Sequence, residues 1–124
     1  MAKTVLIVED EQSMQRALKS KLEHAGYAVH TAVDGEEALA SLRGTKPDLV
    51  LLDLIMPKVD GISVLRQMKA DDGLRSVPVV ILTNLSSGDK VAEAMQLGTF
   101  DFLVKANYSL DDVLKKVADR LGEP

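Results

Sequence analysis

Apolar positions along this chain fall into two patterns that alternate from one end to the other. Apolar runs occur at Val5–Val8, Leu49–Leu52, Val77–Leu82 and Phe100–Val104, the last broken only by Asp101. Such runs predict strands covered on both faces, as in a parallel sheet. A fifth stretch sets Tyr27, Val29, Thr31 and Val33 against Ala28, His30 and Ala32, and predicts an edge strand. Helical spacing fills the intervals. Met14, Leu18 and Leu22 mark the first helix; Ala38, Leu39 and Leu42 the second; Ile62, Leu65 and Met68 the third. Val91, Met95 and Gly98 mark one face of the fourth, and Leu110, Val113, Leu114, Val117 and Leu121 the fifth.

The punctuation agrees. Asp34 with Glu37, and Ser109 with Asp112, have the spacing of capping boxes. Gly26, Gly44 and Gly98 are placed to end the first, second and fourth helices. The reading is a strand–helix unit repeated five times, an α/β three-layer sandwich with one parallel sheet. Its 124 residues make one domain, 1–124.

Composition narrows the function. Hydrophobic residues are 46% of the chain, enough for a core, and net charge is −4. That balance lacks the basic footprint of a nucleic-acid binder and does not suit an anionic membrane surface. The absence of cysteine removes disulfides, thiolate metal sites and thiol nucleophiles. No apolar run approaches the roughly 20 residues of a membrane span. The expected setting is cytoplasmic.

In open parallel sheets, ligands bind beyond the carboxyl ends of the strands. The first strand runs into Glu9-Asp10, the third into Asp53, the fourth into Thr83 and the fifth into Lys105. Three carboxylates, a hydroxyl and an ammonium are thus expected on one rim. Carboxylate ligands favour a hard divalent cation, Mg²⁺ above all when a phosphate shares the site. A carboxylate beside that ion can attack phosphorus, with Lys105 neutralising phosphoryl oxygens and Thr83 donating to one of them.

The ordered set resembles the response-regulator receiver family of two-component signalling over essentially the whole chain. The resemblance is carried by Val8-Glu9-Asp10-Glu11, by Asp53-Leu54-Ile55-Met56-Pro57-Lys58-Val59-Asp60-Gly61, by Leu82-Thr83 and by Phe102-Leu103-Val104-Lys105. It implies a flavodoxin-like fold of strand order 2-1-3-4-5. It implies Asp53 as phosphoacceptor and Glu9 and Asp10 as the acidic pair, Asp10 being the direct Mg²⁺ ligand. The Ile55 backbone carbonyl would complete the metal set. Thr83 and Lys105 would sense the phosphoryl group, and Phe102 would swing inward when Thr83 moves. The donor would be a histidine kinase or a histidine phosphotransfer domain. The target, a downstream protein or output domain, is not specified, and the surface of the fourth helix, fifth strand and fifth helix would relay the signal.

Three departures carry expectations. Glu9 stands where the family more often has Asp. Asn84, Leu85 and Ile55 border the path of an attacking water, which predicts slow self-dephosphorylation. Ala106 replaces the family's cis-proline. A cis bond without proline costs about 2.5–4 kcal/mol, so a trans Lys105–Ala106 bond is expected.

Taken singly, these residues are ordinary. Glu9-Asp10 could be a solvated turn, Asp53 a helix cap, Thr83 a strand residue, Lys105 a surface lysine and Phe102 a core aromatic. The conjunction carries the reading. His24 and His30 read as surface residues, and the methionines as packing residues. Three rivals differ in chemistry. A receiver-like docking module would keep the fold without switching. An aspartate-nucleophile phosphohydrolase of the haloacid-dehalogenase type would want a second Asp where Ile55 stands. A flavin-binding module would want stacking aromatics, which are 3% of the chain, and a first loop without the acids Glu9, Asp10 and Glu11.

Overall fold

The structure, a computed structural model, describes residues 2–54, 59–83, 88–98, 101–104 and 109–122, with Thr83 described in its backbone alone. Its elements alternate strictly: β1 (Thr4–Val8), α1 (Gln12–His24), β2 (Ala28–Ala32), α2 (Gly35–Gly44), β3 (Leu49–Asp53), α3 (Gly61–Ala70), β4 (Val79–Thr83), α4 (Gly88–Gln96), β5 (Asp101–Val104) and α5 (Leu110–Leu121). The five strands form one parallel sheet in the order β2-β1-β3-β4-β5. The fold expected from the sequence is the fold observed.

Strand alternation divides the core in two. Val5 and Ile7 of β1, Leu49 and Leu51 of β3, and Val80 and Leu82 of β4 face one side, packed with Leu18 and Leu22 of α1 and Val113 and Val117 of α5. Leu6, Val8, Val50, Leu52 and Ile81 face the other, against Ala38 and Leu42 of α2, Ile62, Val64, Leu65 and Met68 of α3, and Ala94 of α4. The division follows from handedness. A right-handed crossover lies on one face when the chain steps one way across the sheet, and on the other when it steps back. The path from β1 to β2 runs one way, and every later step runs the other. The reversal leaves β1 and β3 adjacent, and that is where the carboxyl ends of a doubly wound sheet open a crevice.

Local details bear out the sequence reading at one cap and depart from it in three places. Ser109 and Asp112 form a full capping box on α5. On α2, Asp34 accepts from the Glu37 amide at 2.9 Å, but the Glu37 carboxylate turns to the Val33 amide at 3.1 Å, so that box is half made. Gly26 and Gly98 take positive φ after α1 and α4, whereas Gly44 is the last residue of α2 and does not; Gly122, φ 74°, closes α5 instead. On α4 the buried residue is Ala94, while Met95 is 45% exposed and does not pack as the spacing predicted. A face estimated from three positions over nine residues can miss by one residue, about 100° of helix.

Because α4 buries so little, polar contacts share its attachment. Arg66 of α3 pairs with Glu93 at 3.1 Å, and Lys90 pairs with Asp60 at 3.5 Å. At the far end of the sheet, α5 is tied to the start of the chain. The Lys3 ammonium donates to the Leu121 carbonyl, and the Tyr27 hydroxyl donates to the Gly122 carbonyl at 2.8 Å. Burial pushes the Tyr27 hydroxyl above its ordinary pKa.

Candidate functional site

The register of the sheet builds the site. Val8 pairs with Leu52, so the next residues, Glu9 and Asp53, stand at the same level on neighbouring strands. Glu9 is wholly buried, Asp53 is 5% exposed and Asp10 is open to solvent. One oxygen from each of the three carboxylates lies within 4.8 Å of the others. Three like charges so placed repel, and the donor set, all carboxylate oxygen with one side open to water, suits a hard divalent cation that keeps part of its hydration shell. The residues therefore fit Mg²⁺.

Two glycines shape the loop that leaves Asp53. The Gly61 amide donates to the Leu54 carbonyl at 3.0 Å. A methyl group at Gly61 would overlap the Asp53 carbonyl oxygen and the Leu54 Cα, and one at Gly35 would overlap the Val59 carbonyl oxygen. The start of α3 thus presses directly on the backbone that carries Asp53, and the start of α2 presses on Val59 just before α3. Asp60 caps α3 by accepting from the Ser63 amide at 2.9 Å. Partial burial works against its charge, but that hydrogen bond and the nearby Lys90 ammonium outweigh it and hold its carboxyl below the usual range.

The turn that carries Glu9 and Asp10 is held differently. Glu11, the N-cap of α1, makes no side-chain capping bond. Its amide instead donates to Glu9 Oε2 at 3.3 Å. The Glu9 amide donates to the Ala32 carbonyl at 3.0 Å. The Gln15 side-chain amide then donates to the Glu9 carbonyl at 3.1 Å and to the Ala32 carbonyl at 3.0 Å. Sequence reading missed Gln15. The available signal was its place beside the Met14–Leu18–Leu22 stripe, one turn into α1, where a polar side chain can reach back to the strand ends.

Of the other residues expected at the rim, Thr83 ends β4, and its backbone partner on β5 is Val104. Its side chain, and Ile55, Asn84, Leu85, Lys105 and Ala106, lie outside the described residues, as does the Lys105–Ala106 peptide bond. Phe102 is half-buried and packs against the core on the α2–α4 side. His24 and His30 are exposed, remote from the three carboxylates in the fold.

Comparison with known proteins gives one answer. The family described as response regulator receiver domain matches residues 5–118. Response regulator PleD of Caulobacter vibrioides is 40% identical over 115 residues, covering 92% of this chain and 24% of PleD. The chain spans less than half the length of the curated relatives it matches. Among solved structures, the signal receiver domain of a signal transduction histidine kinase from Syntrophus aciditrophicus superposes with a TM-score of 0.88 at 35% identity, covering 97% of this chain and 90% of that one. The phosphorylated cyanobacterial phytochrome response regulator RcpA superposes with a TM-score of 0.86 at 30% identity, covering 98% and 96%.

Proposed function

The chain belongs to the response regulator receiver family, and on that premise we propose that Asp53 accepts a phosphoryl group and so switches the domain. As a receiver domain it is a signalling module of two-component systems. The observation that carries the finer reading is the triad of carboxylates on the ends of β1 and β3, with oxygens within 4.8 Å of one another. The phosphorylated RcpA structure supports it by likeness.

In this mechanism a carboxylate oxygen of Asp53 attacks phosphorus in line with the leaving group. With a phosphohistidine donor a P–O bond forms, the P–N bond breaks, and its electron pair returns to the imidazole. Glu9, Asp10 and Asp53, with the Ile55 backbone carbonyl, would hold Mg²⁺, which when bound supplies positive charge against the phosphoryl oxygens. The Asp53 backbone is fixed by the close approach of Gly61, so the nucleophile is positioned before the donor arrives. Lys105, which follows Val104 in the chain, would pair with the phosphoryl group, and Thr83 would donate to it. Phe102 would follow Thr83 inward and change the surface of α4, β5 and α5. Water attack at phosphorus would release inorganic phosphate and restore the carboxylate, slowly if Asn84, Leu85 and Ile55 crowd its path. Catalysis is thus confined to the domain's own phosphorylation and dephosphorylation.

The partners we infer are a histidine kinase or phosphotransfer domain as donor and a downstream protein or output domain as target, in the cytoplasm. The test is intact mass after incubation with acetyl phosphate and Mg²⁺. The expected result is one added phosphoryl group, absent in Asp53→Ala and in metal-free samples. Failure to gain it, with Asn84→Ala failing equally, would leave a docking module and refute the switch.

A further inference from the structure

The structure assigns a positioning role to Gln15: we propose that its side-chain amide sets the affinity of the rim for Mg²⁺ by fixing the turn that carries Glu9 and Asp10. The inference rests on the reading of Glu9, Asp10 and Asp53 as the cation site. The N-caps of α2, α3 and α5 each accept a backbone amide through their side chains, at Asp34, Asp60 and Ser109. Glu11 does not. The turn with two of the three carboxylates therefore lacks the lock that its counterparts have, and Gln15 supplies another.

Its main-chain amide donates to the Glu11 carbonyl at 2.9 Å, closing the first turn of α1. Its side-chain amide is directed at two carbonyls, Glu9 at 3.1 Å and Ala32 at 3.0 Å. Both partners can only accept, so the amide nitrogen must face them, and both of its hydrogens are used. The Ala32 carbonyl also receives the Glu9 amide. One side chain thus joins the end of β1, the end of β2 and the start of α1.

The effect on the cation follows from peptide geometry. The Glu9 carbonyl lies in the same rigid plane as the Asp10 amide. Fixing that carbonyl fixes the N–Cα axis of Asp10 and so narrows the directions in which its side chain can leave the backbone. Asp10 is exposed, so little packing would hold it otherwise. Mg²⁺ demands short bonds and near-octahedral angles, and a carboxylate that must first be ordered binds it less well.

The test is calorimetric titration of the unphosphorylated protein with Mg²⁺. Gln15→Met keeps the length and bulk and removes both donors. We expect its dissociation constant for Mg²⁺ to rise roughly tenfold, the lower end for losing a group that orients a ligand. Gln15→Asn keeps the amide but withdraws it by one carbon, and is expected to show the same rise. Tyr27→Phe, which removes the hydrogen bond to the Gly122 carbonyl at the opposite end of the sheet, controls for lost stability and should leave the constant unchanged. Parental affinity in both Gln15 variants would overturn the proposal, as would an equal rise in Tyr27→Phe. Absence of Mg²⁺ binding by the parent protein would instead overturn the cation reading itself, and this inference with it.

Discussion

Asp53→Asn should make the metal-free protein more stable while removing its phosphorylation. The substitution keeps size and shape and deletes one charge from a crowded group. The Glu9 and Asp53 oxygens lie no more than 4.8 Å apart, and both residues are buried. At an effective dielectric constant near 20, two unit charges at that separation repel by roughly 3–4 kcal/mol. Neighbouring groups on the rim take up part of this, so the expected gain is about 1–2 kcal/mol. For a domain of this size that corresponds to a rise in melting temperature of about 3–10 °C. The assay is thermal unfolding by circular dichroism, in EDTA and in excess Mg²⁺. The parent should gain stability with Mg²⁺ by mass action, and the variant should gain little. A variant that melts no higher than the parent in EDTA, or that responds to Mg²⁺ as fully, would refute the reasoning.

Other substitutions probe the supports of the site. Gly35→Ala forces a methyl group against the Val59 carbonyl, and should cost about 1–3 kcal/mol and slow acetyl-phosphate labelling of Asp53, read by intact mass. Asp60→Asn keeps the capping oxygen and removes the charge paired with Lys90. Because the folded state holds that carboxyl below its ordinary range, its contribution is present above the usual carboxylate pKa, about 4, and is lost as pH falls through the folded-state value. The variant should therefore unfold in urea with a loss below about 1 kcal/mol at pH 7, closing as the pH drops under 4. Leu51→Ala, in the middle of β3 and fully buried, should cost about 2–5 kcal/mol in the same assay.

What the sequence made legible, and what it hid, divides along physical lines. Strands buried on both faces announce themselves, since Val5–Val8 and Leu49–Leu52 have no polar residue to place outside. The carboxylates were legible because a charged residue closing such a run must lie where the sheet ends. Strand order follows from the family resemblance, and register then brings Glu9 level with Asp53. Gln15 was hidden because a glutamine in the first turns of a helix usually meets water; only the fold shows that this one reaches two carbonyls on two strands. The burial of Ala94 rather than Met95 was hidden for a related reason. In a short helix with few buried positions, periodicity leaves the angle of the buried face loosely set. Gly44 showed the opposite error, a residue type suited to a helix stop used as the last helical residue.

The ties between Lys3 and Leu121 and between Tyr27 and Gly122 have a topological consequence. Residues at opposite ends of the described chain are neighbours at the same edge of the molecule, below the sheet and away from the acidic rim. A host polypeptide can therefore enter and leave this module at almost one point, splicing it in as a loop is spliced, without threading and without touching the rim. The same closeness would let the native ends be joined and new ones opened elsewhere, so the order of the elements along the chain is separable from their arrangement in space.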